Sequence, residues 1–351
     1  MMVNLSPTLS LVLACQLGVY TLVTAIACRG GEVRAPDPDD YIIAFSSCLQ
    51  QFSDTSIWNR IAEQKPKLFL FMGDTIYADT HDMGVKRRAF ARLNADPNYI
   101  AFKKSTRVLA MWDDHDYGLN DIGGNYAEKK QMQKIFLDAF DEPKDSLRRK
   151  QEGIYTAEEM TIGGKIIQII VVDVRYFRTN WTYGPKIPPY TRTYVDDNRE
   201  TSTVLGEAQW QWLSMLIARK ADLRLFVTST PVLSDDYKGE RWGAFPRERA
   251  RLFREMAAAQ TGKWVIITGD RHFAQVSHRD DVLPYPLVEL MASGMNTVWY
   301  DGSQEPDRYR DGETLPDYNF GVLRIHGRKG SLRYALHNGA GEEWKRGEIR
   351  F

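Results

Sequence analysis

Excess charge of either sign is missing from this chain: over 351 residues, Lys and Arg together number 46, as do Asp and Glu. So even a balance implies no general field for nucleic acid or an anionic membrane, although a local basic patch is compatible with a zero sum. Cysteine is scarce, with Cys15, Cys28 and Cys48 the whole complement. No internal repeat, low-complexity tract or later linker interrupts residues 41–351, so one domain is expected there. At 43% hydrophobic and 26% charged, the composition is that of an ordinary soluble globular protein.

Charge is absent altogether from residues 9–28, LSLVLACQLGVYTLVTAIAC, and a Pro/Asp-rich stretch runs from there to Asp40. An apolar run ending in small residues reads as an export signal over 1–28 with a linker over 29–40, though residues 1–8 lack the usual Lys or Arg. Ala25-Ile26-Ala27-Cys28 has the form of a loose bacterial lipobox, which would lipidate Cys28 and tether the mature chain to a membrane. An uncleaved single-span anchor is the alternative, and the length just permits it. Either way the domain is expected outside the cytoplasm, periplasmic or at the cell surface. With Cys28 lipidated, Cys48 has no partner in an oxidising compartment and is either a buried inert thiol or a ligand. With processing elsewhere, a Cys28–Cys48 disulfide is open.

Beyond the linker, short apolar runs alternate with amphipathic ones. Strands are expected at 41–46, 67–72, 107–112, 165–173, 223–229, 263–268, 287–291, 321–326 and 331–337. Helices are expected near 55–64, 85–93, 128–140, 207–219 and 247–259. Strands separated by helices give an α/β layered fold, and the strand-rich last third makes part of the sheet mixed or antiparallel. Two irregular stretches, 178–203 and 234–245, carry Trp181, Tyr183, Tyr190 and Trp242, which suits ordered loops bordering a site.

The informative pattern lies at the carboxyl ends of the strands. LFLFM leads into Gly73-Asp74-Thr75-Ile76-Tyr77-Ala78-Asp79, and VLAMW into Asp113-Asp114-His115-Asp116. WVIIT leads into Gly269-Asp270-Arg271-His272, and IIAFSS into Cys48. Any one acidic turn means little, because Asp is a common cap and turn residue. Four together are different, since open α/β sheets place their sites at such strand ends. If the strands are neighbours, Asp74, Asp113, Asp114, Asp116 and Asp270 crowd into one small volume. Their mutual repulsion would raise their pKa values unless cations neutralise them, which points to a multinuclear metal centre.

These segments resemble the PhoD-like branch of the metallophosphoesterases, the alkaline phosphatase D family. The resemblance covers nearly all of 41–337 and rests on Ser46-Ser47-Cys48, Gly73-Asp74-x-x-Tyr77-x-Asp79, Trp112-Asp113-Asp114-His115-Asp116, Asp173-x-Arg175-x-x-Arg178 and Gly269-Asp270-Arg271-His272. Weaker support comes from the stretches beginning at Leu205 and Trp242. The resemblance implies a four-layer αββα sandwich with metals at the sheet ends, a ferric ion with calcium, and hydrolysis of phosphomonoesters and phosphodiesters. It would make Cys48, Asp74 and Tyr77 iron ligands, with Asp74 bridging to a second metal. Asp114 and His115 stand where the wider superfamily has its Asn-His pair, and Asp270 and His272 close the site. Two departures are an extra β-rich domain that many relatives carry before the core, and Asp116 where many have Glu.

The residues themselves suit that set. Thiolate and phenolate are strong donors for a trivalent iron, while carboxylates suit calcium. The expected chemistry is attack on phosphorus by metal-activated water. Arg175 is read as a phosphate clamp, with a structural salt bridge as the competing role. His115 or His272 is read as a general acid. His81 is expected to be exposed, His278, His326 and His337 structural, Lys129-Lys130 and Arg148-Arg149-Lys150 solvated, and Trp210 and Trp212 in the core. The expected substrate is a small phosphate ester, and the expected state of the chain is a monomer. A phospholipase C-like activity on lipids and a noncatalytic calcium-binding surface protein are the competing readings.

Overall fold

A computed structural model describes residues 40–188, 192–299 and 302–351. In chain order the first elements are β1 (Asp40–Ser46), α1 (Ile57–Glu63), β2 (Leu68–Met72), α2 (Met83–Asn94), α3 (Pro97–Lys103), β3 (Arg107–Met111), α4 (Asp114–Tyr117) and α5 (Lys129–Ala139). Next come β4 (Thr156–Ile162), β5 (Lys165–Val171), α6 (Gly206–Ile217), β6 (Leu223–Val227), α7 (Pro246–Ala258) and β7 (Lys263–Thr268). The chain closes with β8 (Ala274–Arg279), β9 (Leu287–Ala292), β10 (Asn319–His326), β11 (Ser331–Asn338) and β12 (Glu343–Arg350).

Two six-stranded sheets result, ordered β12-β11-β10-β1-β2-β3 and β4-β5-β6-β7-β9-β8. Both are mixed. β1, β2 and β3 run parallel, with β10, β11 and β12 added antiparallel. β5, β6, β7 and β9 run parallel, with β4 and β8 antiparallel at the two edges.

Side chains alternate across a strand, so each central strand of the second sheet serves two cores. Ile167, Ile169, Leu223, Leu225, Val265 and Ile267 join the core shared with the first sheet. Ile170, Phe226, Trp264 and Ile266 face the other way, onto the α6 and α7 side chains Trp210, Leu213, Leu252 and Met256. On the far side of the first sheet, Trp58 of α1 packs edge-on against Phe69 and Phe71 of β2, with ring centres 5.1 and 5.5 Å away. Tyr99 and Phe102 of α3 complete that layer. Helices, sheet, sheet, helices is the four-layer αββα arrangement.

All nine expected strands and all five expected helices form. Five elements lay outside the expectation: α3, the single turn α4, β4, β8 and β12. β4 (TAEEMTI) and β12 (EWKRGEIR) carry charges where an apolar alternation would announce a strand, and their pairing to β5 and β11 is what makes them strands. Arg148 is also a correction. It is buried rather than solvated, donating to the carbonyl oxygens of Ile154 and Ala110 at 2.8 Å and pairing with Glu142 at 2.9 Å. His81 is exposed and hydrogen-bonded to Glu128, and His337 stacks on Phe320, as expected. Trp181 stacks on Tyr194 and meets Phe245, so the two irregular stretches pack on each other. Tyr190, Cys15, Cys28 and the segment 1–39 lie outside the described residues. Among the described residues no helix is long and apolar enough to cross a membrane.

Candidate metal centre

The strand endings converge, but not within one sheet. β1, β2 and β3 are neighbours and deliver Cys48, Asp74 and the Asp113–Asp116 turn side by side. The fourth ending, Asp270–His272, comes from β7 of the opposing sheet. Glycine makes the approach possible. A Cβ on Gly269 would sit 2.5 Å from the Ser47 hydroxyl, and one on Gly73 (φ +91°) 2.5 Å from the Asp113 Cβ. The next residues then turn sharply: Cys48, Asp74, Asp270 and His272 all hold positive φ, between 49° and 75°. Non-glycine residues rarely adopt this conformation, and it tends to gather at functional sites.

Three groups of ligand atoms lie within 4.8 Å of one another: Cys48, Asp74 and His272; Asp74, Asp114 and His115; and Asp113, Asp114 and Glu240. Asp74 is common to the first two. The Cys48 Sγ is 3.6 Å from Asp74 Oδ2, and the Tyr77 hydroxyl is 3.4 Å from both that oxygen and His272 Nε2. Cys48 is the one free cysteine among the described residues, and it is fully buried. Asp270 lies close enough to Asp113, Asp114 and Glu240 to feel their charge.

The histidines are held from behind. His272 Nδ1 meets the Thr297 carbonyl oxygen at 2.8 Å, which turns Nε2 toward Tyr77. His115 Nδ1 meets Asp79 Oδ1 at 2.8 Å. Burial brings His272 down to about 4, so its ring is neutral. Burial also opposes charge on His115, but Asp114 and Asp79 outweigh it and carry the ring up to about 9.

The acids behave as a crowded group. Burial pushes Asp74 well above the usual carboxylate range, and Asp114 and Cys48 push the same way. Asp113 rises to about 7 through burial, opposed by Arg175. Asp270 is raised by burial and by Glu240 and Asp113. Asp114 is the exception, because His115, Arg175 and the backbone N–H of Asp121 outweigh its burial. Burial lifts the Cys48 thiol, and burial together with the charge of Cys48 lifts the Tyr77 phenol. Every raised group here would ionise beside a cation, which is the behaviour of a ligand set without its metal. Asp113 Oδ2, buried without a hydrogen-bond partner, fits the same account. Thiolate, phenolate and imidazole gather at Asp74 in one group, and Asp114 and His115 in another, so the donors fit two unlike cations.

Two residues beside the centre are tied up in protein contacts. Arg175 is wholly buried, with Nε 2.6 Å from Asp113 and its two terminal nitrogens 2.6 and 2.8 Å from Glu240. Its planar fork pairs with two carboxylates, the geometry of the salt-bridge alternative. Asp116 is a brace: it accepts from the backbone N–H groups of Thr75 and Asp113 at 2.8 and 2.9 Å, tying the β2 ending to the β3 ending.

Sequence reasoning gave Asp79 no role and did not single out Glu240, Ser293, Thr297 or Trp299. Ser293, just past β9, is 3.4 Å from Cys48 Sγ and accepts from the His272 N–H at 3.0 Å. Trp299 stacks on the His272 ring at 4.0 Å. Only Asp79 carried a signal, as the last acid of the segment after β2.

The sequence pattern of the PhoD-like phosphatases matches residues 43–315. Alkaline phosphatase D of Bacillus subtilis (strain 168) is 22% identical over 277 residues, covering 67% of this chain and 46% of that protein. This chain thus spans about half the length of that relative. The solved structure of PhoD superposes with a TM-score of 0.69 at 17% identity, covering 92% of this chain and 70% of that one. A structure of GAP50, described as the anchor in the inner membrane complex of Plasmodium, has a TM-score of 0.56 at 12% identity, with 89% of each chain covered. Both structures share the fold.

Proposed function

This chain belongs to the PhoD-like phosphatase family, and from that premise we propose that it is a metal-dependent phosphoric ester hydrolase. The observation that carries the reading is Asp74, shared between a Cys48/His272 group and an Asp114/His115 group. Cys48, Tyr77, His272 and Asp74 would hold one cation, ferric iron by the character of the donors. Asp74, Asp114 and Asp270 would hold the second, calcium by the same argument. When bound, such cations neutralise the phosphate oxygens and make water a nucleophile near neutral pH.

The chain's own residues supply orientation and a proton. Thr297 fixes the His272 ring and Asp79 the His115 ring. His115 stands beside Asp74 and Asp114, with its ring paired to Asp79. It is the better placed of the two histidines to donate a proton to the leaving alkoxide, because His272 would be held by the first cation. Small phosphomonoesters and phosphodiesters are the proposed substrates. The charge-free run at 9–28 supports work outside the cytoplasm, with Cys28 as a membrane tether.

The test is hydrolysis of p-nitrophenyl phosphate and its bis-ester, with elemental analysis and a visible spectrum of the purified protein. Tyrosinate or thiolate on ferric iron gives a visible charge-transfer band. Asp74→Asn should lose both metals and at least about a hundredfold in turnover, beyond what outer partners of a metal site cost. Unchanged turnover in that variant would sink the hydrolase reading. A colourless, iron-free, active enzyme would overturn only the iron assignment.

A further inference from the structure

Among the described residues, Trp299 is one of the few large apolar side chains left in the open, with 61% of its surface exposed. An exposed indole on a floppy loop would mean little. This one ends a tightly held segment. Ser293 is bonded to the Cys48 thiol and the His272 N–H. Asn296 accepts from the Gln50 N–H at 2.6 Å and donates to the carbonyl oxygens of Gln50 and Asp54 at 3.1 and 2.9 Å. Thr297 holds His272 Nδ1.

From that anchor the indole stacks on the His272 ring, 4.0 Å between centres and 23° between planes. It meets Tyr77 edge-on at 5.8 Å and His115 at 6.5 Å. Three residues of the metal centre therefore border one aromatic side chain, most of whose surface is exposed. An ester whose phosphate sits at the Asp74 group and whose alcohol portion points to this exposed side meets these rings. Aromatic pairs attract at centre separations of about 4.5–7 Å, so a planar alcohol portion leaving the centre enters stacking range of the indole.

We propose that Trp299 receives the organic portion of the ester and selects for planar, aromatic alcohols; the inference rests on the hydrolase reading above. It is a specificity-determining contact and takes no part in the bond changes. The test compares phenyl phosphate with glycerol 2-phosphate in the full-length metal-loaded enzyme. Trp299→Ala should lower kcat/KM for phenyl phosphate about 3- to 10-fold through KM, the scale of one ring stack, and leave glycerol 2-phosphate within about twofold. Trp299→Phe should restore most of the loss. Equal falls for both esters, or metal lost from the alanine variant, would overturn the proposal and make the indole a wall for His272. Calorimetry with phenylphosphonate and methylphosphonate reads the same preference without turnover. A wild-type preference there, removed by Trp299→Ala, supports the contact even if no ester is hydrolysed, a result that would instead refute the hydrolase reading. No preference in wild type overturns the contact.

Discussion

Replacing Arg175 with methionine decides between its two roles, and the structure sets the size of the effect. The guanidinium is fully buried, and its partners Asp113 and Glu240 are nearly so, at 1% and 4% side-chain exposure. Methionine keeps the stem and removes the charge, leaving two buried carboxylates that face Asp114 and Asp270. Breaking a buried pair in this way typically costs about 3–5 kcal/mol, since the surviving charge has neither partner nor water. A large domain loses about 2 °C of melting temperature per kcal/mol, so the variant should melt roughly 6–10 °C below wild type. Thermal unfolding followed by circular dichroism reads this directly. Adding Asp113→Asn and Glu240→Gln to the Arg175→Met background should recover part of the loss, because the stranded charges are then gone. The reasoning fails if Arg175→Met melts within about 2 °C of wild type while turnover falls a hundredfold or more. That outcome would return Arg175 to the phosphate.

Two further outcomes are expected at the same site. In metal-free protein, the carboxyl of Asp113 is raised from 3.8 to about 7 and the ring of His115 from 6.5 to about 9. In both cases the folded state binds more protons than the unfolded chain within those windows, so stability should fall as pH rises through about 4–7 and again through about 6.5–9. Melts of chelator-treated protein between about pH 5 and 9 check this; added metal should flatten the slope, and a melting temperature rising with pH would contradict it. Gly73→Ala forces a Cβ to within 2.5 Å of Asp113 Cβ and 2.7 Å of its backbone nitrogen at φ +91°. It should cost at least about 1–2 kcal/mol in urea unfolding and lower metal content as well, whereas Gly164→Ala, also at positive φ but with nothing within 4 Å, should retain full metal.

The strand-by-strand layout was legible because each central strand is a short, largely apolar run. What the sequence could not convey is which sheet a strand joins. The endings at Cys48, Asp74 and Asp113 are neighbours in one sheet, but His272 arrives from the other. Periodicity reports which face of a strand is buried, not what it is buried against. β4 and β12 escaped notice for a related reason, as their partners rather than their composition hold them extended. Arg175 was legible as important, with two roles open. Its sequence neighbours include Asp173, whereas its actual partners are 62 and 65 positions away. Thr297 and Trp299 lie in an irregular segment, where residue type carries no pattern until the fold brings it to the histidine.

Backbone strain at the centre bears on why cations belong there. Seven non-glycine residues among those described hold positive φ, and four of them are Cys48, Asp74, Asp270 and His272. A fifth, Asp121, donates its backbone N–H to Asp114 at 2.6 Å. Each such residue costs on the order of 1–3 kcal/mol, and the strain persists only where the surroundings over-determine it. At a strand end the left-handed turn redirects a side chain that would otherwise continue the alternation up or down from the sheet. Here the turns swing a thiol, carboxylates and an imidazole into one buried volume, where burial and mutual repulsion already oppose their ionised forms. Strain and repulsion thus act against the same arrangement, and the protein's own cations offset the repulsion only in part: Arg175 pairs with Asp113 and Glu240, His115 acts on Asp114, and His272 is neutral. A bound cation acts on both at once, since it fixes the ligand directions and stabilises the ionised donors. Metal should therefore stabilise the fold as well as permit the chemistry, and the strained turns are where its removal should first loosen the chain.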